Sequence, residues 1–487
     1  MGEIGPDAWR WLSHLQTMSQ RLWQVLPLGP TGYADSPYQT LSTFAGNPML
    51  ISFDALQEET LLKKEDIQGF PVLPENRIDY GPTILARTQV LEKVARSFPK
   101  RASPSLKTAL LAFEEKNSFW LEDFALFISL KKHHGGGPWL NWPTSLIQRD
   151  PATLRSAQKE HSAEIRHTKI LQFLFYRQWN LLRNEAKKRG ISIIGDIPIF
   201  VAHDSADVWC RPELFLLQPD GQPTVVAGVP PDYFSQTGQR WGNPLYRWET
   251  HAAEGFSWWI SRLKSSFELY DIVRIDHFRG FAANWEIPVN EPTAMNGKWT
   301  PGPGRKLFDA ARLRIGELPI IAEDLGVITP DVDALRDNLG YPGMRILQFA
   351  FGDECPGPAF CPATYPANTV CYTGTHDNDT TVGWYRSEPG KDSTRNAEQI
   401  AREQHNVRTY LSSDGSQIHW DLIALALRTP CHTAMYPLQD VLGLGSEARL
   451  NVPGREQGNW SWRFQWEQLT PEIEDRLRCL TYEARRA

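Results

Sequence analysis

Residues 270–277, Tyr-Asp-Ile-Val-Arg-Ile-Asp-His, indicate the fold most clearly, because an apolar run ends there on a carboxylate. The same arrangement recurs at residues 318–324, Leu-Pro-Ile-Ile-Ala-Glu-Asp, and at residues 369–377, Thr-Val-Cys-Tyr-Thr-Gly-Thr-His-Asp. Buried strands that end on acidic residues are typical of a parallel α/β barrel, because the active face lies where its strands end. The three stretches therefore predict carboxylates that converge from separate strands on one pocket, which suits glycosidic bond chemistry.

The rest of the chain supplies further strands of the same kind. Seven are predicted in all, at residues 23–28, 191–194, 272–275, 319–322, 345–351, 369–372 and 434–441. A closed barrel has eight strands, and the shortfall lies before the amphipathic helix predicted at 7–20. We therefore expect an α/β fold, a (β/α)8 TIM barrel with helical and loop insertions, whose first strand is missing from this chain. The strands on either side of the gap would then have unpaired edges.

Three regions can be assigned along the chain. Residues 1–49 would begin the catalytic barrel without its first strand, and residues 50–188, with clear helices at 107–119 and 160–188, would form a mostly helical insertion. Residues 189–487 would complete the barrel, with an aromatic lid at about 205–250. Within that lid, Pro and Gly predict a loop over residues 228–248.

Composition and charge limit the kinds of binding partner and the cellular compartment to be expected. The chain has 487 residues, a net charge of −6 and no basic stripe, which argues against nucleic acid. Its apolar runs are too short to span a membrane, and residues 1–7 resemble no export signal. The six cysteines show no zinc-ligand or CxxC spacing. We predict a cytoplasmic protein with reduced thiols and no membrane partner.

The first acidic motif pairs Asp276 with Arg274. Residues two apart on a strand point to the same side, and a guanidinium favours an ionised carboxylate beside it. Such a carboxylate can attack an anomeric carbon. The alternative is a purely structural ion pair.

The second motif places Glu323 at the mouth of an apolar strand, facing another carboxylate. That environment should raise its pKa and allow it to protonate a leaving oxygen. Once the nucleophile is consumed in an ester, the pKa of Glu323 should fall, and the residue can act as a base. The alternative is an acid that initiates a helix before Leu325 and Gly326.

The third motif, His376-Asp377, follows a tight Thr-Gly-Thr approach. The pair could hydrogen-bond the vicinal hydroxyls of a sugar, and such bonds tighten as the ring flattens. The alternative is an Asx-type turn built on Asp377, Asn378 and Asp379.

Taken together, these motifs resemble those of the amylomaltases, the 4-α-glucanotransferases of glycoside hydrolase family 77. The likeness rests on Val-Ala-Gly-Val-Pro-Pro-Asp-Tyr-Phe (226–234), Val-Arg-Ile-Asp-His-Phe-Arg-Gly (273–280), Ala-Glu-Asp-Leu-Gly (322–326) and Gly-Thr-His-Asp-Asn-Asp (374–379). The resemblance implies Asp276 as nucleophile, Glu323 as general acid/base and Asp377 as transition-state stabiliser. It also implies sugar contacts from Ser36, Tyr38, Asp196, Trp241, Arg274 and His376, a lid around Tyr233, and a donor-side loop at 443–453 that contains Asn451.

The resemblance also bears on the missing strand. Members of the family normally begin with an apolar strand just before the region that corresponds to residues 2–7. We expect Met1 to be an internal methionine taken as a start, or the chain to be a fragment. An in-frame upstream sequence that encodes the strand would support this expectation, and a stop codon just upstream would contradict it.

The activity implied is retaining transglycosylation between α-1,4-glucans and maltooligosaccharides, without a nucleotide sugar, metal or other cofactor. An α-glucan hydrolase of the same clan and an inactive glucan-binding protein are alternatives. A metal-dependent barrel enzyme is another, with Asp196, Asp276, Glu323 and His376 as ligands. Arg274 and the lack of a His-x-His motif argue against it.

Overall fold

The computed structural model describes residues 2–231, 235–352, 360–390 and 395–487. Its strands, in chain order, are β1 (Leu22–Gln24), β2 (Ser192–Pro198), β3 (Val225–Val229), β4 (Gln239–Pro244), β5 (Ile272–Asp276), β6 (Ala283–Pro288), β7 (Lys298–Pro301), β8 (Ile320–Ala322), β9 (Gly343–Ile346), β10 (Thr369–Tyr372) and β11 (Thr433–Met435).

Eighteen α-helices accompany these strands in the described ranges. They are α1 (Pro6–Thr17), α2 (Phe53–Glu58), α3 (Tyr80–Arg101), α4 (Pro104–Lys116), α5 (Ser118–His133), α6 (Thr144–Ile147), α7 (Pro151–Glu160), α8 (Ser162–Lys188), α9 (Ala206–Cys210), α10 (Trp248–Ala253), α11 (Ser257–Leu269), α12 (Arg305–Ile315), α13 (Pro330–Leu339), α14 (Thr381–Tyr385), α15 (Ala397–Leu411), α16 (Ile418–Arg428), α17 (Leu438–Val441) and α18 (Pro471–Glu483). None of these helices is both long and apolar enough to cross a bilayer.

Seven strands run parallel and follow one another in chain order. One sheet has the order β1-β2-β5-β8, and a second has the order β9-β10-β11. The backbone N–H of Ala322 donates to the carbonyl of Pro342 at 2.9 Å, which joins the edge of the first sheet to the start of β9. The seven strands predicted from the sequence are thus confirmed, and their carboxyl ends lie on one side.

Three of these strands are clearly shorter than predicted, and the stretch at 23–28 already ends as a strand at Gln24. The stretch at 345–351 leaves the sheet after Ile346 and turns into a 3₁₀-helix at Leu347–Phe349. The stretch at 434–441 ends as a strand at Met435, and Pro437 then begins α17. Proline has no N–H to donate to a sheet and has the φ that a first helical turn requires.

The predicted loop at 228–248 is confirmed only in part, because residues 235–238 form a turn whereas residues 228–229 and 239–244 lie in strands. These residues contribute to β3 and β4, which belong to an antiparallel sheet of order β4-β3-β6-β7. Gly228 is required inside the sheet, because a Cβ atom at this position would lie 2.1 Å from the carbonyl oxygen of Gln239. Glycine here permits a close approach of two strands and does not mark a turn.

A single large core connects the helices of the first half to the parallel strands. The long helix α8 packs against α5 and buries Phe173, Phe175 and Trp179 in the same apolar cluster as Val273 and Ile275 of β5. The helices of residues 50–188 therefore stabilise the strands that carry the site.

The outer edges of β1 and β11 have no strand partner among the described residues. A cleft of about 1600 Å³ lies between them, lined by both strands, by α1 and by α18. Side chains cross part of the gap, because the hydroxyl of Tyr436 donates to Gln20 at 2.5 Å and that of Tyr372 donates to Gln24 at 2.9 Å. The unpaired edges expected from the strand count are therefore present.

Candidate active site

An arginine lies between two carboxylates at the ends of adjacent strands. Arg274 of β5 is 3% exposed, and its Nη1 donates to both carboxylate oxygens of Asp196 at 2.8 and 2.7 Å. Its Nη2 lies 3.0 Å from Oδ1 of Asp276. Burial alone would lower the pKa of Arg274, but the charges of Asp196 and Asp276 raise it well above the ordinary value. The predicted contact between Arg274 and Asp276 is confirmed, and it fixes the orientation of the Asp276 carboxylate.

The carboxyl group of Glu323 is held beside Asp276 by two backbone donors. The N–H of His277 donates to Oε2 at 2.7 Å and that of Leu325 donates to Oε1 at 2.8 Å. His277 directly follows β5, and its N–H points to the same side as the Ile275 carbonyl, which accepts a hydrogen bond from the N–H of Glu323 at 3.1 Å. Ile275 of β5 lies opposite Ala322 of β8. Asp276 and Glu323 are the next residues along these two strands, so they lie side by side at the same edge of the sheet.

The environment of Glu323 favours its protonated form. Burial raises its pKa from 4.5 to about 8; the negative charge of Asp276 adds to this effect, and Arg274 opposes it. The raised pKa predicted from the sequence is confirmed. The alternative of a helix-initiating acid does not fit, because the next helix, α13, begins only at Pro330.

The residue after Glu323 anchors the strand end. Asp324 accepts a hydrogen bond from the N–H of Met344 at 2.6 Å and pairs with the guanidinium groups of Arg336 and Arg345. Its side chain is buried. These contacts fasten the end of β8 to β9, so the backbone that carries Glu323 has little freedom to move.

The stacked rings of Tyr38 and His376 connect the third motif to the carboxylate of Asp196 that Arg274 binds. The hydroxyl of Tyr38 donates to Asp196 at 2.9 Å and lies 3.2 Å from Nδ1 of His376. The two rings are stacked, with centroids 4.8 Å apart. The turn is closed by Asn378, whose Oδ1 accepts from the N–H of Thr375 at 2.9 Å, so Asp377 is not needed to form it. The Asp377 side chain is 50% exposed and available to a ligand.

Four predicted site residues remain, and the structure describes three of them. Ser36 contacts Tyr38 through a hydrogen bond from the Tyr38 N–H to Oγ at 3.3 Å. Trp241 lies edge-on to the ring of His277 at 4.8 Å, and Asn451 donates to Asp377 at 2.6 Å. Tyr233 lies outside the described residues. The structure therefore connects ten of the eleven predicted residues, directly or through one neighbour.

Sequence reasoning missed a buried carboxylate, Asp440. It accepts hydrogen bonds from the Thr373 hydroxyl at 2.6 Å, from the Thr381 N–H at 2.7 Å and from the Thr381 hydroxyl at 2.8 Å. It thereby fastens both ends of the turn that carries His376 and Asp377. Its signal was present, since Asp440 is an acid near the end of the last predicted strand, residues 434–441.

The charge distribution is poorly suited to a metal ion. The guanidinium of Arg274 occupies the centre of the carboxylate group, where it would repel a cation. Among the described residues, no group of three or more His, Cys, Asp or Glu side chains is arranged to hold a metal.

Comparison with known proteins agrees with this geometry. The family model described as 4-alpha-glucanotransferase, of glycoside hydrolase family 77, matches residues 1–470. A 4-alpha-glucanotransferase of Thermus thermophilus is 50% identical over 99% of this chain and 94% of its own length, and one of Synechocystis is 45% identical over the same shares. The amylomaltase of Streptococcus agalactiae, solved in complex with acarbose, superposes with a TM-score of 0.93 at 37% identity and covers 100% of this chain and 96% of that one. The chain therefore belongs to the 4-α-glucanotransferases of glycoside hydrolase family 77.

Proposed function

We propose that the chain disproportionates α-1,4-glucans by a retaining, two-step transfer in which Asp276 is the nucleophile and Glu323 the general acid/base. The observation that carries this proposal is the contrast between the two acids. Asp276 forms an ion pair with Arg274 at 3.0 Å, whereas the pKa of Glu323 is raised to about 8. A carboxylate paired with a guanidinium, next to a carboxyl group with a raised pKa, is the arrangement expected for glycosyl transfer.

In the first step, the Asp276 carboxylate attacks C1 of the donor sugar. The bond from C1 to the glycosidic oxygen breaks, and Glu323 transfers its proton to that oxygen as the shortened glucan leaves. The charge of Asp276 disappears into the ester, so one of the influences that keep the pKa of Glu323 high is removed. Glu323, which has given up its proton, therefore stays ionised and can act as a base.

In the second step, Glu323 accepts the proton of the 4-OH of an incoming glucan, and that oxygen attacks C1. The ester to Asp276 breaks, and the new α-1,4 bond has the configuration of the old one. Two inversions require carboxyl groups about 5–5.5 Å apart. Asp377 would support the flattened sugar ring by binding its vicinal hydroxyls, together with His376.

The substrate contacts proposed for the other residues follow from their positions. Tyr38 and Asp196 surround Arg274 at the floor of the site, and Trp241 packs against His277 at its wall. The S. agalactiae amylomaltase binds acarbose, and we propose maltooligosaccharide segments as the ligands here. The lid around Tyr233 and the cytoplasmic location stay predictions.

We also propose that the seven parallel strands are those of an eight-stranded (β/α)8 barrel. The support is their chain-order sequence, their common direction and the cleft of about 1600 Å³ between β1 and β11. A strand placed in that cleft would pair with both free edges. The helices of residues 50–188 form the helical insertion of the barrel in this proposal, residues 1–49 its beginning, and residues 189–487 its remainder.

Incubation with pure maltotriose tests the proposed reaction. Transfer should yield glucose together with a ladder of longer maltooligosaccharides, and Asp276→Asn should abolish this ladder while leaving maltooligosaccharide binding within a few-fold of the wild type. Glucose and maltose without longer products would indicate a hydrolase. Near-wild-type transfer by Asp276→Asn would remove Asp276 as the nucleophile.

A further inference from the structure

The turn that carries Asp377 is held from outside by a loop far along the chain. Nδ2 of Asn451 donates to Oδ1 of Asp377 at 2.6 Å, and Nη2 of Arg449 donates to the Asp377 carbonyl at 2.8 Å. Nε of Arg449 also donates to the Asn451 carbonyl at 2.8 Å, which links the two clamping residues to each other. Asn451 and Arg449 together therefore contact both the side chain and the backbone of Asp377.

The same loop makes a further contact with the turn. The hydroxyl of Ser446 donates to Oδ2 of Asp379 at 2.6 Å. Three residues of the loop thus contact two acidic residues of one turn. The loop is therefore held by contacts outside itself as well as by its own hydrogen bonds. Since loops are otherwise the mobile parts of a fold, such repeated bonding indicates a fixed relation between the loop and the turn.

The contact selects one oxygen of Asp377. Both Asn451 and Nε2 of His376, the latter at 3.4 Å, lie against Oδ1. No donor among the described residues is recorded at Oδ2, and the side chain is 50% exposed. A carboxylate held through one oxygen presents the other in a fixed direction, which is what a group that must meet a sugar hydroxyl requires.

We propose that Asn451 and Arg449 are positioning residues that orient Asp377 toward the reacting sugar, and that Asn451 acts through Asp377 without binding the sugar itself. This inference rests on the proposed function, because it gives Asp377 a place in the reaction. It assigns the loop of residues 446–451 a part in the chemical step.

The test combines a kinetic split with a double-mutant cycle. In Asn451→Ala, kcat for maltotriose disproportionation should fall about 10- to 100-fold, the range for a lost hydrogen bond to a charged group, while KM changes less than about 3-fold. In an Asp377→Ala background, Asn451→Ala should change activity by less than about 2-fold, since the group it orients is gone. The low activity of that background is measured with an α-maltosyl fluoride donor.

The chain offers a matched control in Asn459. Its Oδ1 accepts from the Val452 N–H at 3.0 Å and its Nδ2 donates to the Arg455 carbonyl at 2.8 Å, so it stabilises the same loop without contacting the turn. Asn459→Ala should leave kcat within about 2-fold. An equal loss in Asn459→Ala would show that general loosening of the loop explains the effect, and it would overturn the inference.

Two further outcomes would contradict the positioning role. A raised KM with unchanged kcat in Asn451→Ala would indicate a direct sugar contact, and full additivity with Asp377→Ala would show that the two residues act separately. Failure of the proposed function is distinguishable, because it would appear as a missing product ladder in the wild-type protein.

Discussion

Replacing Glu323 with glutamine should change how the stability of the protein depends on pH. The pKa of Glu323 is raised from 4.5 to about 8, so the folded chain keeps a proton that the unfolded chain releases in this range. The stabilisation is fully present below pH 4.5 and is lost as the pH rises toward 8. One pKa unit corresponds to about 1.36 kcal/mol. Between about pH 5 and pH 7.5, the wild type should therefore lose up to about 3 kcal/mol that Glu323→Gln does not lose.

Glutamine also brings a penalty that does not depend on pH. Its amide nitrogen would face one of the two backbone donors, from His277 or Leu325, and leave it unpaired at a cost of about 1–3 kcal/mol. The useful quantity is therefore the change with pH in the difference between variant and wild type. The sign of this change is fixed, because the stability of Glu323→Gln relative to the wild type must increase as the pH rises.

Urea unfolding of both proteins at half-unit steps between about pH 5 and pH 7.5 measures this quantity. Glu115→Gln, in the exposed part of α4, is the matched control for loss of a carboxyl group. The reasoning would be refuted if the difference in unfolding free energy between Glu323→Gln and wild type changed by less than about 0.5 kcal/mol over this pH range. A change that small lies within the uncertainty of a typical extrapolation. Glu323 would then not be a proton carrier near neutral pH.

Three further substitutions have defined outcomes. Tyr38→Phe removes the hydroxyl that donates to Asp196 and should lower kcat/KM about 10-fold; an unchanged kcat/KM would separate Tyr38 from the site. Asp324→Asn removes the buried anion that Arg345 and Arg336 share, although Arg336 keeps Asp333 and Asp337, and should cost about 1–3 kcal/mol in urea unfolding; a cost below about 0.5 kcal/mol would contradict its anchoring role. Trp241→Ala removes the ring beside His277 and should lower the ratio of transfer to hydrolysis, measured as longer products against total glucose equivalents released by water; an unchanged ratio would mean that this ring does not exclude water.

The parts of the site that sequence analysis could predict are those set by local pattern. An acid at the end of an apolar strand is visible in the sequence, and the pairing of Arg274 with Asp276 follows from the two-residue period of a strand. The direction of the Glu323 pKa could also be predicted, because burial beside a second carboxylate requires it. These features need no knowledge of distant residues.

The parts that could not be predicted depend on backbone direction or on remote contacts. One of the two N–H groups that hold Glu323 comes from His277, which lies 46 positions away in the sequence. Asn451 reaches Asp377 across 74 positions of sequence, and Asp440 lies 59 positions from Thr381. The antiparallel sheet around Gly228 was missed because close strand approach and turns both favour glycine.

The central claim is that a glycosyl group passes through an ester on Asp276. The most direct test is to trap that ester in Glu323→Gln with an α-maltosyl fluoride donor, which needs no acid for departure but leaves the enzyme without a base for turnover. Peptide mass spectrometry should then find one maltosyl group on the peptide that contains Asp276, absent from Asp276→Asn treated in the same way. A maltosyl ester on another carboxylate would contradict the account, as would release of a product with inverted configuration and no ester at all.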